Sequence, residues 1–337
     1  MASPTQSAAF VEVRPWEEDY LRTHLPDLPL RFFPESLSEQ TAAQVQDVPI
    51  ISTFIRSPLS RAVLDHLPKL RFIATRSTGY DQIDVAAVKV RGVVVSDVPR
   101  YGANTVAEYT FGLMLCLSRK IIQAYERALH GQVSLDGLEG FDLNGKTLGV
   151  IGTGSIGVHV VRIARGVGMD VLAYDVKPQP LVAEVLGFAY VPLVDLLRRS
   201  DVVSLHVPAT PQTHHLMNRE RFGLMKHGSS LINTARGDLV DAAALAWALD
   251  EGILAGAGLD VVEGEELVAE QERLLATPGA EEKLRTLLRH HVLLRRENGI
   301  ITPHAAFYSR EALQRILDTT ISNIRCFLAG QPENVVS

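Results

Sequence analysis

One stretch constrains this chain more than any other. The apolar run Thr147-Leu148-Gly149-Val150-Ile151 leads directly into Gly152-Thr153-Gly154-Ser155-Ile156-Gly157. The run reads as a buried strand, and G-x-G-x-x-G as the turn by which a strand enters a helix. Ile156, Val160, Ile163 and Val167 then place apolar side chains along one face of that helix. A second apolar run ends at Asp175. Each part has a physical job. Gly152 permits the tight turn, Gly154 removes a side chain where backbone must approach a pyrophosphate, and Gly157 lets the helix pack closely on the strand. The first helical turn, with Ser155 and Ile156, offers unsatisfied N–H groups and partial positive charge to phosphates. Asp175 would accept hydrogen bonds from adenosine ribose hydroxyls and repel the extra phosphate of NADP. The pattern therefore points to NAD, although Lys177 is a nearby cation that would soften the discrimination. Alone, the glycines fit a tight turn without a ligand equally well; strand, helix and acid in register favour the dinucleotide.

The same alternation of short apolar runs and amphipathic stretches continues along the chain, the signature of parallel α/β units. At 337 residues and 46% hydrophobic composition, two domains, each with its own core, are expected. Strands are expected over residues 8–13, 49–54, 71–74 and 92–96. A second series is expected over 147–151, 171–174, 202–205, 230–233, 256–259 and 299–301. Between the series, 105–130 reads as one long helix opened by a Thr105/Glu108 capping box. It is apolar nearly all round from Val106 to Leu117, which predicts burial between domains or against a second subunit, and hence a homodimer. Residues 263–298 read as a loop with helical pieces. Leu313, Ile316, Leu317, Ile321 and Ile324 fall on one face of a helix over 310–328. The fold class expected is α/β, with two Rossmann-like domains built on doubly wound parallel sheets.

Several function classes are disfavoured. The formal charge of −6 comes from interspersed acids and bases without a basic tract, so no nucleic-acid partner is expected. No apolar stretch approaches the ~20 residues that span a bilayer; Glu108 interrupts the longest. No basic segment precedes the first apolar run at Ala8. Cys116 and Cys326 lack a CxxC partner, as in a reducing compartment. A cytoplasmic protein without a membrane partner is expected. His214-His215 and His290-His291 are adjacent pairs lacking further ligands at metal spacing, so no metal is expected. His206 ends a strand, where packing or a cofactor contact would equally explain it.

Five further segments occur in order: Ser77-Thr78-Gly79-Tyr80-Asp81-Gln82-Ile83-Asp84, Val98-Pro99-Arg100-Tyr101 with Ala103 to Glu108, Asn233-Thr234-Ala235-Arg236-Gly237, Asp260-Val261-Val262-Glu263-Gly264-Glu265, and Thr302-Pro303-His304-Ala305-Ala306-Phe307-Tyr308. With the glycine turn, they make the chain resemble the D-isomer-specific 2-hydroxyacid dehydrogenases over nearly its whole length, and its last segment resembles the family's D-lactate branch. The resemblance implies that His304 is the catalytic acid–base, Glu265 its partner and Arg236 the substrate-binding arginine. It assigns Thr78, Gly79, Tyr101, Phe54 and Phe307 to substrate. Besides the glycine turn and Asp175, it assigns Val207, Pro208, Thr213, Thr234, Ala235 and Asp260 to the cofactor, Asp260 in a supporting role. It also implies a discontinuous substrate domain, residues 1–100 plus 303–337, an NAD-binding domain over 101–302, an interdomain cleft that closes on substrate, and hinges at Tyr101 and before His304. Val262 stands where the family commonly has tyrosine, and Ser77-Thr78 departs from its usual loop.

The chemistry needs these residue types. Reducing a 2-oxo acid requires hydride at the carbonyl carbon and a proton at its oxygen, and histidine is suited to supply that proton near neutrality. Glu265 beside it would favour the imidazolium. Arg236 offers a planar fork to the carboxylate and polarises the carbonyl. Singly, each residue reads equally as an ion-pair residue, a loop acid or a cap. Within the family, glyoxylate or hydroxypyruvate reduction and phosphite oxidation stand beside D-lactate oxidation. Glu265 argues against a formate dehydrogenase, whose histidine pairs with glutamine, and the scarcity of cations argues against a phosphoglycerate dehydrogenase. A different class, an NAD(H)-sensing corepressor on the same fold, would retain the same residues; short termini favour the enzyme.

Overall fold

A computed structural model of the chain describes residues 6–265 and 296–336. The chain forms two units, residues 1–101 with 309–337, and residues 102–308.

The smaller unit follows the order β1 (Ala8–Val11), α1 (Pro15–His24), β2 (Leu30–Phe33), β3 (Ile50–Thr53), α2 (Arg61–Asp65), β4 (Phe72–Thr75), α3 (Val85–Val90), β5 (Val94–Ser96). Its strands pair parallel in the order β2-β1-β3-β4-β5. Central strands buried on both faces send alternate residues to two cores. Val11, Ile51, Ile73 and Val95 meet Val63, Leu64 and Val88 on one side. Phe10, Ile50 and Phe72 meet Leu21 of α1 on the other, with Leu317, Ile321 and Ile324 of the C-terminal helix Arg310–Leu328. That helix has the bounds and buried face that its spacing predicts. The strand β2 was not expected. It is a half-buried edge strand flanked by Pro29 and Pro34, and the prolines with Arg31 give it the look of a loop.

At the carboxyl ends of β1, β3 and β4 lies a fully buried cation. Arg76, 2% exposed, donates to the carbonyls of Val11 (2.7 Å) and Glu12 (2.9 Å) and to Ser52 Oγ (3.1 Å). Burial pulls its guanidinium below the ordinary arginine range, with Glu17 and Glu12 opposing that shift. Glu12, in the left-handed region at φ 58°, turns its carboxylate onto Arg56 N (2.8 Å) and Ser57 Oγ (2.5 Å).

The larger unit runs α4 (Ala103–Ser118), α5 (Ile121–Leu129), β6 (Thr147–Ile151), α6 (Ser155–Gly166), β7 (Asp170–Tyr174), α7 (Pro180–Leu186), β8 (Ala189–Tyr190), α8 (Leu193–Arg199), β9 (Val202–Leu205), α9 (Arg219–Phe222), β10 (Ser229–Asn233), α10 (Ala242–Asp250), β11 (Leu254–Leu259), β12 (Gly299–Ile301). Its parallel sheet has the order β12-β11-β10-β9-β6-β7-β8. Strand order reverses direction at β6, which makes the sheet doubly wound and opens a crevice at the carboxyl ends there. Two doubly wound parallel α/β sheets are thus present, as expected.

Four local expectations are corrected. The 105–130 segment is two helices, because Lys120 adopts φ 53° and breaks the hydrogen-bond ladder between them. No Thr105/Glu108 capping box opens it: α4 starts at Ala103 after Gly102, Thr105 is buried and Glu108 is exposed. The buried face of α4 is covered by α6, β10 and β11 of its own unit. The buried face of α6 is Gly157, Val160, Val161 and Ala164, with Val167 exposed, because the close approach at Gly157 sets the helix rotation. β8 was also unforeseen, being two residues long. Most of the expected 263–298 loop lies outside the described residues, as does His290-His291.

Arg76 yields a stability prediction. Arg76→Ala leaves the carbonyls of Val11 and Glu12 without their buried donor, and should lower the unfolding free energy by about 3 kcal/mol. Urea denaturation with an unchanged midpoint would show that the buried guanidinium does not hold the strand ends.

Candidate active site

Every candidate residue stands beyond the carboxyl end of a parallel strand, where open α/β sheets bind ligands. In the larger unit the glycine turn follows β6 and Asp175 follows β7. Val207, Pro208 and Thr213 follow β9, Thr234 to Arg236 follow β10, Asp260 and Glu265 follow β11, and His304 and Phe307 follow β12. Residues 303–308 belong to this unit rather than to the smaller one. In the smaller unit Phe54 follows β3, Thr78 and Gly79 follow β4, and Tyr101 follows β5.

The glycine turn meets the steric demands read from its sequence. Gly152 has φ 97°, and a Cβ there would stand 2.5 Å from the His206 carbonyl oxygen. A Cβ on Gly157 would stand 2.0 Å from Gly152 O. Gly154 faces open space, with nothing within 4 Å of its Cβ position, and as N-cap of α6 it supplies no side-chain cap. Exposed Gly154 and Ser155 therefore leave the first-turn N–H groups open to an anion. Half-buried Ile156 packs against the core beneath.

Asp175 is fixed more firmly than its sequence suggested. Its Oδ2 accepts from Thr153 N (2.6 Å) and Thr153 Oγ1 (3.0 Å), and its Oδ1 from Lys177 N (2.8 Å). Three donors leave about one of a carboxylate's four acceptor positions for a ribose hydroxyl. Thr153 in turn meets Tyr190 Oη at 2.7 Å, and Gln179 Nε2 donates to Thr153 O at 3.0 Å. Sequence reading passed over Thr153, Gln179 and Tyr190; only the position of Thr153 between two motif glycines hinted at a role. An open helix start, a clear Gly154 and a fixed acid fit a dinucleotide.

The remaining expected cofactor residues follow three strands, β9, β10 and β11. Val207 and Pro208 line the β9 exit, and Val207 packs beside Gly152. Thr213 Oγ1 donates to Pro208 O (2.7 Å) and so folds its own loop. Thr234 is buried, its hydroxyl 2.9 Å from Thr110 of α4, and the N–H of Ala235 donates to Asn233 Oδ1 at 3.1 Å. Asp260 is 1% exposed, and its carboxylate accepts from Thr302 Oγ1 (2.5 Å), Ala305 N (2.8 Å) and Ala306 N (2.8 Å). In this structure it ties down the segment that carries His304.

That segment places His304 at φ 52° with Nδ1 2.8 Å from Glu265 Oε1. Both side chains are about one-third exposed, 36% and 37%, so the pair is open to a ligand. Phe307 is buried, its ring edge-on to His304 at 6.2 Å. Arg236 is half-buried; its carbonyl accepts from Asn233 Nδ2 (2.8 Å), and its Nη1 donates to Ala235 O (2.8 Å). His206, after β9, is a different object. Its Nε2 meets Ser204 Oγ at 2.8 Å, its Nδ1 is buried without a partner, and burial pushes the ring down to about 3. It stays neutral near pH 7 and carries no titratable proton there.

In the smaller unit Thr78 Oγ1 donates to Val98 O (2.7 Å) and Ser77 Oγ to Gly79 O (2.5 Å), which shapes the 77–79 turn. Phe54 is half-buried, with Arg76 5.8 Å from its ring centre. Gln82 Nε2 holds the Phe54 carbonyl at 2.9 Å, and Arg315 Nε holds that of Tyr101 at 2.6 Å. His214 and His215 stack at 3.9 Å, and among the described residues no three metal-ligating side chains gather. Among the described residues, too, no helix is long and apolar enough to cross a membrane.

Comparison with known proteins agrees with this geometry. The sequence profile described as D-isomer specific 2-hydroxyacid dehydrogenase, NAD binding domain, matches residues 111–306. A 2-hydroxyacid dehydrogenase homolog of Haemophilus influenzae is 39% identical over 313 residues, 91% of each chain. The D-lactate dehydrogenase of Escherichia coli is 39% identical over 307 residues, 90% of each. Among solved structures, D-lactate dehydrogenase from Aquifex aeolicus complexed with NAD and lactic acid superposes with a TM-score of 0.85 at 36% identity, covering 96% of both chains. With the strand ends, the glycine turn and the histidine–glutamate pair in these positions, the chain belongs to the D-isomer-specific 2-hydroxyacid dehydrogenases, oxidoreductases that act on a CH–OH group.

Proposed function

We propose that the chain is an NAD-dependent D-lactate dehydrogenase that interconverts pyruvate and D-lactate. The observation that carries the chemistry is the 2.8 Å contact between His304 Nδ1 and Glu265 Oε1. It occupies one ring nitrogen and leaves Nε2 for the substrate oxygen. Bound NADH supplies hydride to the carbonyl carbon. His304 gives a proton to the oxygen, while Glu265 holds the ring in orientation and balances the imidazolium charge. Arg236 takes the carboxylate and polarises the carbonyl. From the smaller unit we assign the backbone N–H groups of Thr78 and Gly79 to the carboxylate, and Tyr101 and Phe54 to the substituent. The glycine turn and Asp175 hold the cofactor, and the exits of β9 and β10 flank it. His206, neutral near pH 7, takes no part in the proton transfer.

Substrate preference follows from the aromatic residues assigned to the substituent. Phe54, Tyr101 and Phe307 suit a methyl group. A second carboxylate or a phosphate would be desolvated beside them without a partner. D-handedness rests on the family. Incubation of the protein with NADH and pyruvate should yield D-lactate on chiral analysis, with oxaloacetate much poorer, and His304→Ala should lose on the order of 10²–10⁴ in kcat. L-lactate as product would overturn the assignment, as would idle pyruvate beside fast glyoxylate or hydroxypyruvate. NADH binding without turnover of any 2-oxo acid would favour the sensor instead.

Cofactor choice is assigned to Asp175. Asp175→Ala removes both the ribose acceptor and the tie to Thr153, and should weaken NADH binding and narrow its advantage over NADPH. Equal kcat/KM for both cofactors in the unmodified protein would refute that role.

We also propose a homodimer. Ile121, Tyr125 and Leu129 line one face of α5, 47%, 63% and 66% exposed, and Leu115 of α4 is exposed as well. An apolar stripe of this kind marks an association surface. Light scattering should give twice the chain mass of 36.9 kDa, and a monomer at micromolar concentration would reject the proposal.

A further inference from the structure

A second histidine–glutamate pair stands on the same turn as Glu265, and the reaction as derived uses neither member. His215 Nε2 lies 2.7 Å from Glu263 Oε1, with side chains 33% and 24% exposed. Its surroundings say what it joins. His215 lies in the loop after β9, at φ 48°. Its N–H donates to Asp238 O (2.8 Å), that of Met217 to Leu239 O (2.8 Å), and that of Asp241 to Met217 O (3.0 Å). Residues 215–217 thus run beside 238–241 as a short parallel bridge. The turn so gripped, Gly237–Leu239, comes directly after Arg236. On its other side it touches the acid-bearing segment: a Cβ on Gly237 would stand 2.3 Å from the Val262 carbonyl and 2.6 Å from Glu263 N. The Arg236 turn therefore lies between the His215 loop and the Glu263 turn, and the His215–Glu263 bond closes across it. Glu263 Oε2 also accepts from Ala242 N at 3.4 Å.

The acid-bearing turn continues to Glu265, whose N–H donates to Val262 O (3.1 Å) and whose Oε2 accepts from Val262 N (3.4 Å). Moving Glu263 moves Val262, and with it both Gly237 and Glu265. We propose that His215 and Glu263 are positioning residues. Their bond clamps the Arg236 turn to the segment carrying Glu265, and so fixes the guanidinium relative to the His304–Glu265 pair. This rests on the roles given above to Arg236, Glu265 and His304. A partly exposed polar pair contributes little to stability, so its effect is on geometry rather than on unfolding. The charged and titratable neighbours are His214, stacked on His215 at 3.9 Å, Asp238, Asp241 and Glu265.

The test compares His215→Ala, Glu263→Ala, the double variant and His215→Gln in the full chain. It reads KM and kcat for pyruvate, the melting temperature, and the pH dependence of the His304 ring signal by NMR, assigned with His304→Gln. Each alanine variant should raise KM for pyruvate about tenfold, the double variant no further than either single one, because coupled residues are non-additive. The melting temperature should stay nearly constant. The His304 titration should move toward that of Glu265→Gln, and His215→Gln, which keeps a donor, should restore both readouts. Unchanged KM and His304 titration, additive effects, or failure of the glutamine to rescue would each overturn the clamp. If pyruvate is not turned over by the unmodified protein but the His304 signal still responds to His215→Ala, the clamp stands and the substrate assignment falls.

Discussion

The carboxylate of Asp260, almost wholly withdrawn from water, is the fixed point on which the candidate site depends. A buried carboxylate is costly unless donors surround it, and hydrogen bonds to a charged acceptor contribute about 1.5–3 kcal/mol each. Its donors come from Thr302, Ala305 and Ala306, which bracket His304, while its own carbonyl accepts from His304 N at 2.9 Å. The histidine is thereby held in a left-handed conformation that a free chain would leave. Glu265, on the turn that Asp260 begins, then meets the ring. Asp260, Glu263 and Glu265 therefore have separate partners: the segment after β12, the loop after β9, and His304 itself.

Much of this was legible in the sequence, and the legible parts share a cause. Central parallel strands are buried on both faces, so they appear as uninterrupted apolar runs, and β6 and β9 have the bounds their runs predict. The glycine turn was legible because backbone geometry there excludes side chains. The His304–Glu265 pair came from resemblance, since no spacing rule brings residues 39 positions apart to 2.8 Å. The unread features are those that local pattern does not encode. β2 and β8 lie at sheet edges, where burial is partial and the apolar signal weak. The break at Lys120 involves neither glycine nor proline. The rotation of α6 is set by a contact at Gly157, and the Thr153–Asp175–Tyr190 ties need three separate strand ends to come together.

Both units use the same device at their strand ends. Parallel strands leave carbonyls and turn residues crowded at one edge of the sheet, and each unit organises that edge with a buried charge. In the smaller unit the charge is a cation, Arg76, that gathers carbonyls. In the larger it is an anion, Asp260, that gathers N–H groups. Removing such a charge alone is destabilising, because the carbonyls or N–H groups it holds are left buried without a partner. What an ionic group contributes in addition is direction, and the backbone it directs here is that of Val11, Glu12 and Ser52 in one unit and of the 302–306 segment in the other.

The tie between residues 8–97 and 317–336 bears on how the protein comes off the ribosome. Leu317, Ile321 and Ile324 complete the core over Phe10 and Phe72, Asn323 Nδ2 holds Asp97 O at 2.8 Å, and Val336 N holds Val95 O at 2.9 Å. Residues 8–96 are thus made before residues 310–328, which supply one wall of their core. During synthesis their sheet has an uncovered apolar face for as long as the whole intervening unit takes to be translated, about 10–40 s at typical elongation rates. The larger unit, contiguous in sequence, can close on its own in that interval. The sheet face of residues 8–96 is therefore the surface that calls for protection in that interval, until residues 310–328 cover it.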